Sequence, residues 1–244
     1  MKTSGNTILI TGGATGIGLA LAEQFVKLGN QVIICGRRES RLKEASAKLG
    51  KVPFRVCDVT DTDERIKLFE WSVRSFPSLN ILVNNAGIQH SYNLLQPLDT
   101  DLVRSECETN FVAPVHLSTL FATHLKDMEN AAIINITSGL AFTPLAFMSV
   151  YCATKAALHS FSLSLRHQLS GTNVKVFEIA PPTVDTELDR GERDNRANSH
   201  RGIKPVEFAI EAVEAFRNDK YEAAVGTAEN LRTRREDMFG MLNH

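Results

Sequence analysis

The sequence predicts an α/β fold in which a doubly wound, parallel sheet of seven strands has helices on both faces. Short β-branched runs alternate with longer amphipathic stretches along most of the 244 residues, and this alternation is typical of parallel sheets with crossover helices. Most of the short runs are almost continuously apolar, which is the pattern of strands that are buried on both faces. Because no linker or low-complexity tract interrupts the alternation, we predict one domain over residues 1–244.

Each predicted strand except the last is followed by a stretch with helical periodicity. The strands are predicted, from the spacing of their apolar and β-branched residues, at 7–12, 31–36, 53–59, 80–87, 132–138, 174–181 and 222–226. The helices are predicted at 16–28, 38–49, 62–76, 100–126, 150–169 and 206–218.

One segment, residues 185–204, departs from this pattern because it is polar, rich in charges and without a clear period. One interpretation is a solvated loop with no function. The other is a substrate lid over a site at the carboxyl ends of the strands, where ligands bind in such sheets. We expect the lid.

Composition and charge favour a soluble protein that acts on a small molecule. The chain is 43% hydrophobic and 23% charged, and its net charge of −1 predicts neither nucleic acid nor an anionic membrane as partner. No apolar run approaches the about 20 residues that cross a bilayer, and the first residues lead into a strand without a cleavable signal pattern. The spacing of the four cysteines is not that of metal ligands, so we predict no metal site. Scattered free cysteines also favour a reducing, cytoplasmic location; the four are Cys35, Cys57, Cys107 and Cys152.

A glycine-rich turn joins the first predicted strand to the first helix in ILITGGATGIGLALAEQF. Glycines there let the backbone approach a pyrophosphate closely, and the positive end of the following helix faces the phosphates. The position between a strand and a helix is the context that confirms such a pattern. The sequence therefore predicts a Rossmann-type dinucleotide site built around Gly12, Gly13, Gly16 and Gly18.

The end of the second strand, CGRRES, predicts which dinucleotide is bound. An acidic residue at this place would bind the ribose 2′-hydroxyl of NAD, but the chain has Gly36 there. Arg37 and Arg38 follow, and their guanidinium groups suit a 2′-phosphate. The alternative is that both arginines only cap or solubilise the next helix. We predict that NADP(H) is preferred over NAD(H).

Tyr151 and Lys155 lie four residues apart in a predicted helix, so both side chains can point into the same space. A tyrosine packed on a lysine stem is the ordinary interpretation of such a pair. The chemical interpretation is that the ammonium lowers the phenol pKa from about 10 and lets it exchange protons near neutral pH. Ser138, thirteen residues before Tyr151, would hydrogen-bond a substrate oxygen; alone it could equally be a strand-end or cap serine.

Several motifs together resemble the short-chain dehydrogenase/reductase family over nearly the whole chain. They are the T-G-x-x-x-G-x-G turn from Thr11, CDV with Asp58 and Val59, NNAG at 84–87, Asn110, Ser138, and then Tyr151 with Lys155. The resemblance implies an NAD(P)-dependent oxidoreductase that interconverts a carbonyl and a secondary alcohol. It implies Tyr151 as general acid/base, assisted by Lys155, Ser138 and Asn110, the last anchoring a water beside Lys155.

The resemblance also implies which residues contact the cofactor. Many NADP-dependent relatives carry a base where this chain has Thr15, and the usual glycine after the first proline of APPTVDT is Pro182, which lacks an N–H. The implied set, with Arg37 and Arg38, is Gly12, Ala14, Thr15, Gly16, Ile17, Gly18, Asp58, Val59, Asn85, Ala86, Gly87, Tyr151, Lys155, Pro181, Val184 and Thr186.

The sequence also predicts the character of the substrate pocket and the assembly of the protein. The stretches CGRR and APPTVDT resemble a bacterial subgroup called DltE-like oxidoreductases. An apolar pocket wall is expected from Phe142, Leu145, Phe147 and Met148, with Gln89 and His90 near its mouth. The family resemblance and the apolar faces of 150–169 predict a homodimer or homotetramer. The apolar residues of the C-terminal tail predict docking on a neighbouring copy, the alternative being a frayed end.

Two other functions stay open at this point. The first is a catalytically silent, dinucleotide-binding regulatory or scaffold protein, because a fold alone does not prove chemistry; the altered Pro-Gly turn is its one support. The second is a dinucleotide-dependent epimerase or dehydratase, although 244 residues leave little room for the substrate domain of those proteins.

Overall fold

A computed structural model of the chain describes residues 1–188 and 202–243. Its centre is a seven-stranded sheet in which every pairing is parallel, with the strand order β3-β2-β1-β4-β5-β6-β7. The predicted fold class is therefore confirmed. The strands are β1 (Thr7–Thr11), β2 (Gln31–Gly36), β3 (Phe54–Val56), β4 (Leu79–Asn84), β5 (Ala132–Ile136), β6 (Lys175–Ala180) and β7 (Glu222–Ala224).

Helices cover both faces of this sheet. The helices of the described residues are α1 (Gly16–Lys27), α2 (Glu39–Lys48), α3 (Thr62–Ser75), α4 (Thr100–Cys107), α5 (Ala113–Leu125), α6 (Ser149–Gln168), α7 (Pro205–Arg217), α8 (Ala228–Arg234) and α9 (Glu236–Leu242). In addition, Glu108–Val112 forms a π-helical turn, and Gly139–Ala141 and Ala146–Met148 form 3₁₀ turns.

The sheet separates two hydrophobic cores, one on each face. On one face Phe216 of α7 meets Phe25 and Phe177 edge to face, with ring centroids 6.3 and 4.9 Å away. On the other face Phe121 of α5 packs edge to face against Phe69 of α3 at 5.1 Å. The strands are apolar toward both cores, which is why their sequences show no alternation. The strand order reverses between β1 and β4, and the crevice at that point is where ligands bind in such sheets.

One predicted helix is interrupted in the structure. The stretch 100–126 is not one regular helix, because the π turn Glu108–Val112 separates α4 from α5. Pro114, at the start of α5, has no N–H to donate to the carbonyl four residues earlier, which is that of Asn110. The turn widens at this place, as π turns in helices do, frequently at functional sites.

The predicted lid at 185–204 lies largely outside the described residues. Its two ends are described: Val184 and Ile203 form an isolated parallel bridge, with Ile203 N donating to Thr183 O at 3.1 Å and Asp185 N to Ile203 O at 3.0 Å. Within the part of the chain that the structure describes, no helix has both the length and the apolar character to cross a membrane.

The C-terminal segment packs on its own chain. The Nδ2 of Asn243 donates to Pro144 O at 3.1 Å, and Ala146 N donates to the Asn243 Oδ1 at 2.6 Å. Thr143 Oγ1 lies 3.0 Å from both Leu231 O and Arg235 O. These bonds hold α8 and α9 against the loop that precedes α6, and so place them beside the carboxyl edge of the sheet.

Candidate active site

Two adjoining cavities lie at the carboxyl edge of the sheet. The first, here the cofactor cavity, has a volume of about 390 Å³ and extends from the glycine turn to Lys155. Most of the predicted cofactor residues line it, namely Gly12, Ala14, Thr15, Gly16, Ile17, Arg37, Arg38, Asp58, Val59, Asn85, Ala86, Gly87, Tyr151, Lys155, Pro181 and Thr186. The structure places Gly18 beneath this surface and Val184 in the adjoining cavity.

The glycine turn has a conformation that other residues would not tolerate. Gly12 has φ +63° and Gly16 has φ +54°, values that L side chains rarely adopt. A Cβ on Gly18 would meet the carbonyl oxygen of Gly12 and lie 2.5 Å from Nδ2 of Asn85. The turn thereby leaves an open backbone concavity at the N-terminus of α1, which fits the pyrophosphate of a dinucleotide.

Hydrogen bonds fix this turn to the end of β4. Thr11 Oγ1 accepts from the backbone N–H groups of both Asn85 and Ala86 at 3.0 Å. Asn85 Nδ2 donates back to Thr11 O at 2.9 Å. Asn85 therefore satisfies backbone groups, as asparagines near turns commonly do, and in doing so forms the floor of the cofactor cavity.

Two arginines lie at the far end of the cofactor cavity. Arg38 bonds Glu187 through Nη2 at 3.2 Å, and Arg41 approaches the same carboxylate at 3.6 Å. Among the described residues, no carboxylate lies within ion-pair distance of Arg37. Asp58 accepts from the backbone N–H and hydroxyl of Thr60 at 3.0 and 2.8 Å, which fixes its carboxylate in the same wall. Arg37 lines this end of the cavity, and no carboxylate of residues 1–188 or 202–243 pairs with its guanidinium.

The Tyr151–Lys155 pair projects from the first turns of α6, and both side chains are buried. Lys155 Nζ donates to Ile136 O at 3.0 Å and lies 5.8 Å from the centre of the Tyr151 ring. Burial disfavours the ammonium and lowers the pKa of Lys155 to about 8, while the negative charge of Glu106 acts in the opposite direction. Tyr151 lines both cavities, so its phenol lies at their junction.

Asn110 is buried behind the pair and lines neither cavity. Its Oδ1 accepts from Ile88 N at 2.9 Å, and its Nδ2 donates to Ile88 O at 2.8 Å and to Thr154 Oγ1 at 3.1 Å. Thr154 Oγ1 in turn donates to Tyr151 O at 2.7 Å. Asn110 therefore connects the π turn, the loop after β4 and α6. The predicted water beside Lys155 stays a prediction.

Ser138 follows β5 and lines the second cavity. Its Oγ accepts from Leu140 N at 3.1 Å and so caps the 3₁₀ turn that follows. Because the hydroxyl can accept one bond and donate another, the cap and a hydrogen bond to a substrate oxygen are compatible. Both interpretations of Ser138 from the sequence therefore agree with its position.

The second cavity, here the substrate cavity, has a volume of about 360 Å³. Leu145, Met148 and Gln89 line it, as expected, and so does Pro182. Sequence reasoning missed the wall supplied by the C-terminal helices. The apolar residues of the tail were the available signal, but only the fold shows that the tail turns back onto this chain. The side chains of this wall are polar Asn230 and apolar Leu231, Met238 and Leu242.

Two residues expected in the apolar wall do not line this cavity. Phe142 packs with its ring 4.9 Å from that of His159, on the far side of the 3₁₀ turn. Phe147 is 46% exposed on the outer surface. His90 lines neither cavity, although its neighbour Gln89 does. The expectation was wrong for the two phenylalanines because Phe142 packs instead on an apolar cluster of Ala180, Ala224 and Ala228, and Phe147 faces solvent.

Comparisons with known proteins agree with this geometry. The family model described as short chain dehydrogenase matches residues 6–197. The chain is 50% identical over 233 residues to a Bacillus subtilis protein named uncharacterized oxidoreductase DltE, covering 95% of this chain and 92% of that one. It is 34% identical to the serine 3-dehydrogenase of Agrobacterium fabrum, covering 82% of each chain.

A solved structure shares the fold at a lower level of identity. A short chain dehydrogenase from Burkholderia cenocepacia, determined in complex with NADP, superposes with a TM-score of 0.85 at 24% identity and covers 99% of both chains. Motifs, topology and family match lead to one conclusion. This chain is a dehydrogenase/reductase enzyme that belongs to the short-chain dehydrogenase/reductase family.

Proposed function

We propose that this enzyme transfers a hydride between NADP(H) and a carbonyl compound or its secondary alcohol, with Tyr151 as general acid and base. The observation that supports this most strongly is the position of Tyr151 at the junction of the two cavities, beside the buried Lys155. A carbonyl held in the substrate cavity would meet the phenol on one side and the cofactor cavity on the other. When bound, NADP(H) supplies or accepts the hydride.

Each residue of the proposed machinery has a separate task. Tyr151 donates its phenolic proton to the carbonyl oxygen as the alkoxide develops, and takes it back in the oxidation. Ser138 donates its hydroxyl hydrogen to the same oxygen, which stabilises the developing charge. Lys155, while protonated, favours the phenolate and lowers the barrier to proton transfer. Asn110 holds α6 and the loop after β4 in register through Ile88 and Thr154.

The proposed preference for NADP(H) over NAD(H) depends on Arg37. The cofactor cavity ends at Gly36, Arg37 and Arg38, where an acidic residue would be needed to bind an unmodified ribose. Arg38 is partly neutralised by Glu187. A 2′-phosphate would therefore gain most from Arg37, with Arg38 released from Glu187 as a second contact.

The proposed substrate is an uncharged carbonyl compound with apolar substituents. Leucine and methionine side chains supply a large apolar part of the substrate cavity, and the polar side chains in it are neutral amides and hydroxyls, among them Gln89, Asn230 and Ser138. Within the described part of the chain, no charged side chain lines this cavity. A charged substrate would lose hydration there without gaining a partner.

A fluorescence titration of the purified protein with NADPH and NADH tests the cofactor proposal. We expect NADPH to bind at least about tenfold more tightly, since one charge-assisted contact is worth roughly 1.5–3 kcal/mol. Arg37→Asp should remove most of that difference. Arg41→Asp is the matched control, because Arg41 is a nearby arginine that pairs with Glu187 and does not line the cavity, and it should leave the ratio unchanged.

The outcomes separate three cases. A preference lost in Arg37→Asp and kept in Arg41→Asp supports the specific contact. An equal loss in both variants would show only a general effect of positive charge. Failure of the wild-type protein to bind either cofactor would contradict the proposed function as a whole.

The proposed assembly is a homodimer or homotetramer, and the proposed location is the cytoplasm. A homodimer or homotetramer is supported by apolar side chains that stay exposed on the surface, with Val112 at 38% and Leu163 of α6 at 44%. A cytoplasmic location is supported by four free cysteines.

A further inference from the structure

A buried carboxylate that the proposed reaction does not use lies at the end of α4. Glu106 is fully buried, in a helix whose other side chains are largely exposed. Its Oε1 accepts from His90 N at 3.1 Å, and its Oε2 accepts from the Tyr92 hydroxyl at 2.8 Å. Burying a carboxylate costs free energy that its hydrogen-bond donors must offset, and the two donors named here both belong to the loop after β4.

The first effect of Glu106 is mechanical. The loop after β4 is fixed at Ile88 by Asn110, at His90 and Tyr92 by Glu106, and again at Tyr92, whose N–H donates to Phe147 O at 2.7 Å. Gln89, in the middle of these anchors, lines the substrate cavity. Glu106 therefore determines where one wall of that cavity lies. Asn110 and Glu106 are four residues apart and hold neighbouring points of the same loop.

The second effect is electrostatic. Lys155 is buried, and the one hydrogen bond described for its ammonium goes to a neutral carbonyl, Ile136 O. Burial lowers its pKa, and the negative charge that opposes this effect is that of Glu106. Glu106 lies on α4, which packs against α6, the helix that carries Lys155. It is thus placed to favour the charged form of Lys155 without forming an ion pair that would restrain it.

We propose that Glu106 is a positioning residue of the active site, which anchors the 88–92 loop through its two oxygens and supplies the buried negative charge that keeps Lys155 protonated. The inference rests on the proposed function for the role of Lys155. The anchoring and the charge are separable, because glutamine keeps the shape and one acceptor of the side chain but has no charge.

Other titratable groups surround this pair and enter any interpretation of pH dependence. Tyr92 and His90 face Glu106 from the loop, and Cys107 follows it in the chain. Tyr151 and Cys152 accompany Lys155 on α6. Glu106 helps to raise the pKa of Tyr92, Cys107 and Cys152 above their ordinary values, with burial as the larger cause in each. Their raised pKa values keep all three neutral near pH 7, and the other carboxylates that act on this cluster are Asp99, on Tyr92, and Glu108, on Cys107.

The test follows Lys155 itself by NMR of protein labelled with ¹³C at the lysine ε-carbon. The Lys155 signal is identified as the one absent from Lys155→Arg. In Glu106→Gln we expect its titration midpoint to move to lower pH. A move of about one pH unit from about 8 would lower kcat/KM for reduction at pH 8 by about fivefold, because the protonated fraction of Lys155 falls from about one half to about one tenth. The matched variant, Tyr92→Phe, removes one anchor and keeps the charge. It should raise KM and leave the Lys155 midpoint unchanged.

If the titration midpoint of Lys155 is unchanged in Glu106→Gln, Glu106 does not keep Lys155 protonated, and the proposal is overturned. If the midpoint shifts equally in Tyr92→Phe, the shift comes from a change of packing and not from the charge of Glu106, which also overturns the proposal. If Glu106→Gln does not fold, the wild-type midpoint decides, because a value below pH 7 would mean that Glu106 does not keep Lys155 protonated. The NMR readout needs no turnover. An enzyme with no activity whose Lys155 still responds to Glu106 would refute the proposed function and leave this inference standing.

Discussion

Two basic groups, one buried and one half-buried, lie one turn apart on α6, and their surroundings are opposite. Lys155 faces the cofactor cavity and donates to a backbone carbonyl, and burial lowers its pKa to about 8. His159 lies with Nδ1 2.8 Å from Oε2 of Glu178, and this hydrogen bond to a carboxylate raises its pKa. The same helix thus holds one cation that is easily discharged and one that is stabilised.

The His159 site is closed by its own partners. Glu178 is fully buried and also accepts from Thr137 Oγ1 at 2.8 Å. Nearby, Arg232 bonds Glu222 at 3.0 Å, and the ligand atoms of His159, Glu178 and Glu222 all lie within 4.8 Å of one another. These contacts join α6, β6 and β7 to α8, the helix that contributes to the substrate cavity.

Two positively charged side chains on one helix thus have different consequences for the protein. A half-buried cation that bonds a buried carboxylate directly contributes to stability, because removing it leaves that carboxylate without its partner. A buried cation without a direct carboxylate partner is costly to stability, but its protonation can change near neutral pH, which acid–base chemistry requires. We therefore assign His159 to the support of the site and Lys155 to its chemistry.

The largest expected effect is on activity and separates these two residues. Lys155→Met should lower kcat/KM for carbonyl reduction by about a thousandfold, within the range attributed to acid–base assistance. His159→Gln, the matched change one turn along α6, should lower it by less than about threefold. Steady-state rates measured with NADPH at pH 7 check both values. Similar losses in the two variants would remove the distinction and indicate that α6 as a whole had been disturbed.

The smaller expected effect is on stability and has opposite pH dependence at the two positions. The folded pKa of His159 is raised, so its contribution is fully present below the unfolded pKa of about 6.5 and is lost as pH rises through the folded pKa. His159→Gln should therefore lower the free energy of unfolding by about 1.5–3 kcal/mol at pH 6, the range for hydrogen bonds to charged groups, and by less at pH 9.

Lys155→Met should raise the free energy of unfolding, whereas His159→Gln should lower it. The folded pKa of Lys155 is depressed to about 8, so its buried charge costs stability below that pH, and the cost decreases as pH rises toward the unfolded value of about 10.4. The variant should be more stable than wild type at pH 6, with the gain shrinking at pH 9. Urea denaturation at both pH values measures all three proteins. A destabilised Lys155→Met at pH 6 would contradict the assignment.

The fold and the positions of the residues proposed for the chemistry were predictable because local patterns determine them. Continuous apolar strands, the glycine turn and the spacing of Ser138, Tyr151 and Lys155 are all visible over short stretches of sequence. The break in 100–126 was less visible, although Pro114 marked it, because prolines are also common in the first turn of an ordinary helix.

The parts that were missed depend on long-range packing. Glu106 looks like an exposed helical residue in the sequence, and only the docking of the 88–92 loop buries it. The C-terminal wall of the substrate cavity depends on Asn243 bonding a loop almost a hundred residues earlier. The tail was expected to dock on a neighbouring copy, and its packing on its own chain could not be read from the apolar residues alone.

The most direct test of the central claim compares wild type with Tyr151→Phe in NADPH oxidation across a panel of uncharged apolar aldehydes and ketones, with NADPH binding measured by fluorescence in the same preparations. We predict turnover by the wild type, a loss of about a thousandfold in Tyr151→Phe, and dissociation constants for NADPH that agree within about threefold, the size expected when one contact of neutral character is lost. Equal turnover in the two proteins, or a joint loss of turnover and NADPH binding, would contradict the role of Tyr151 as the proton donor.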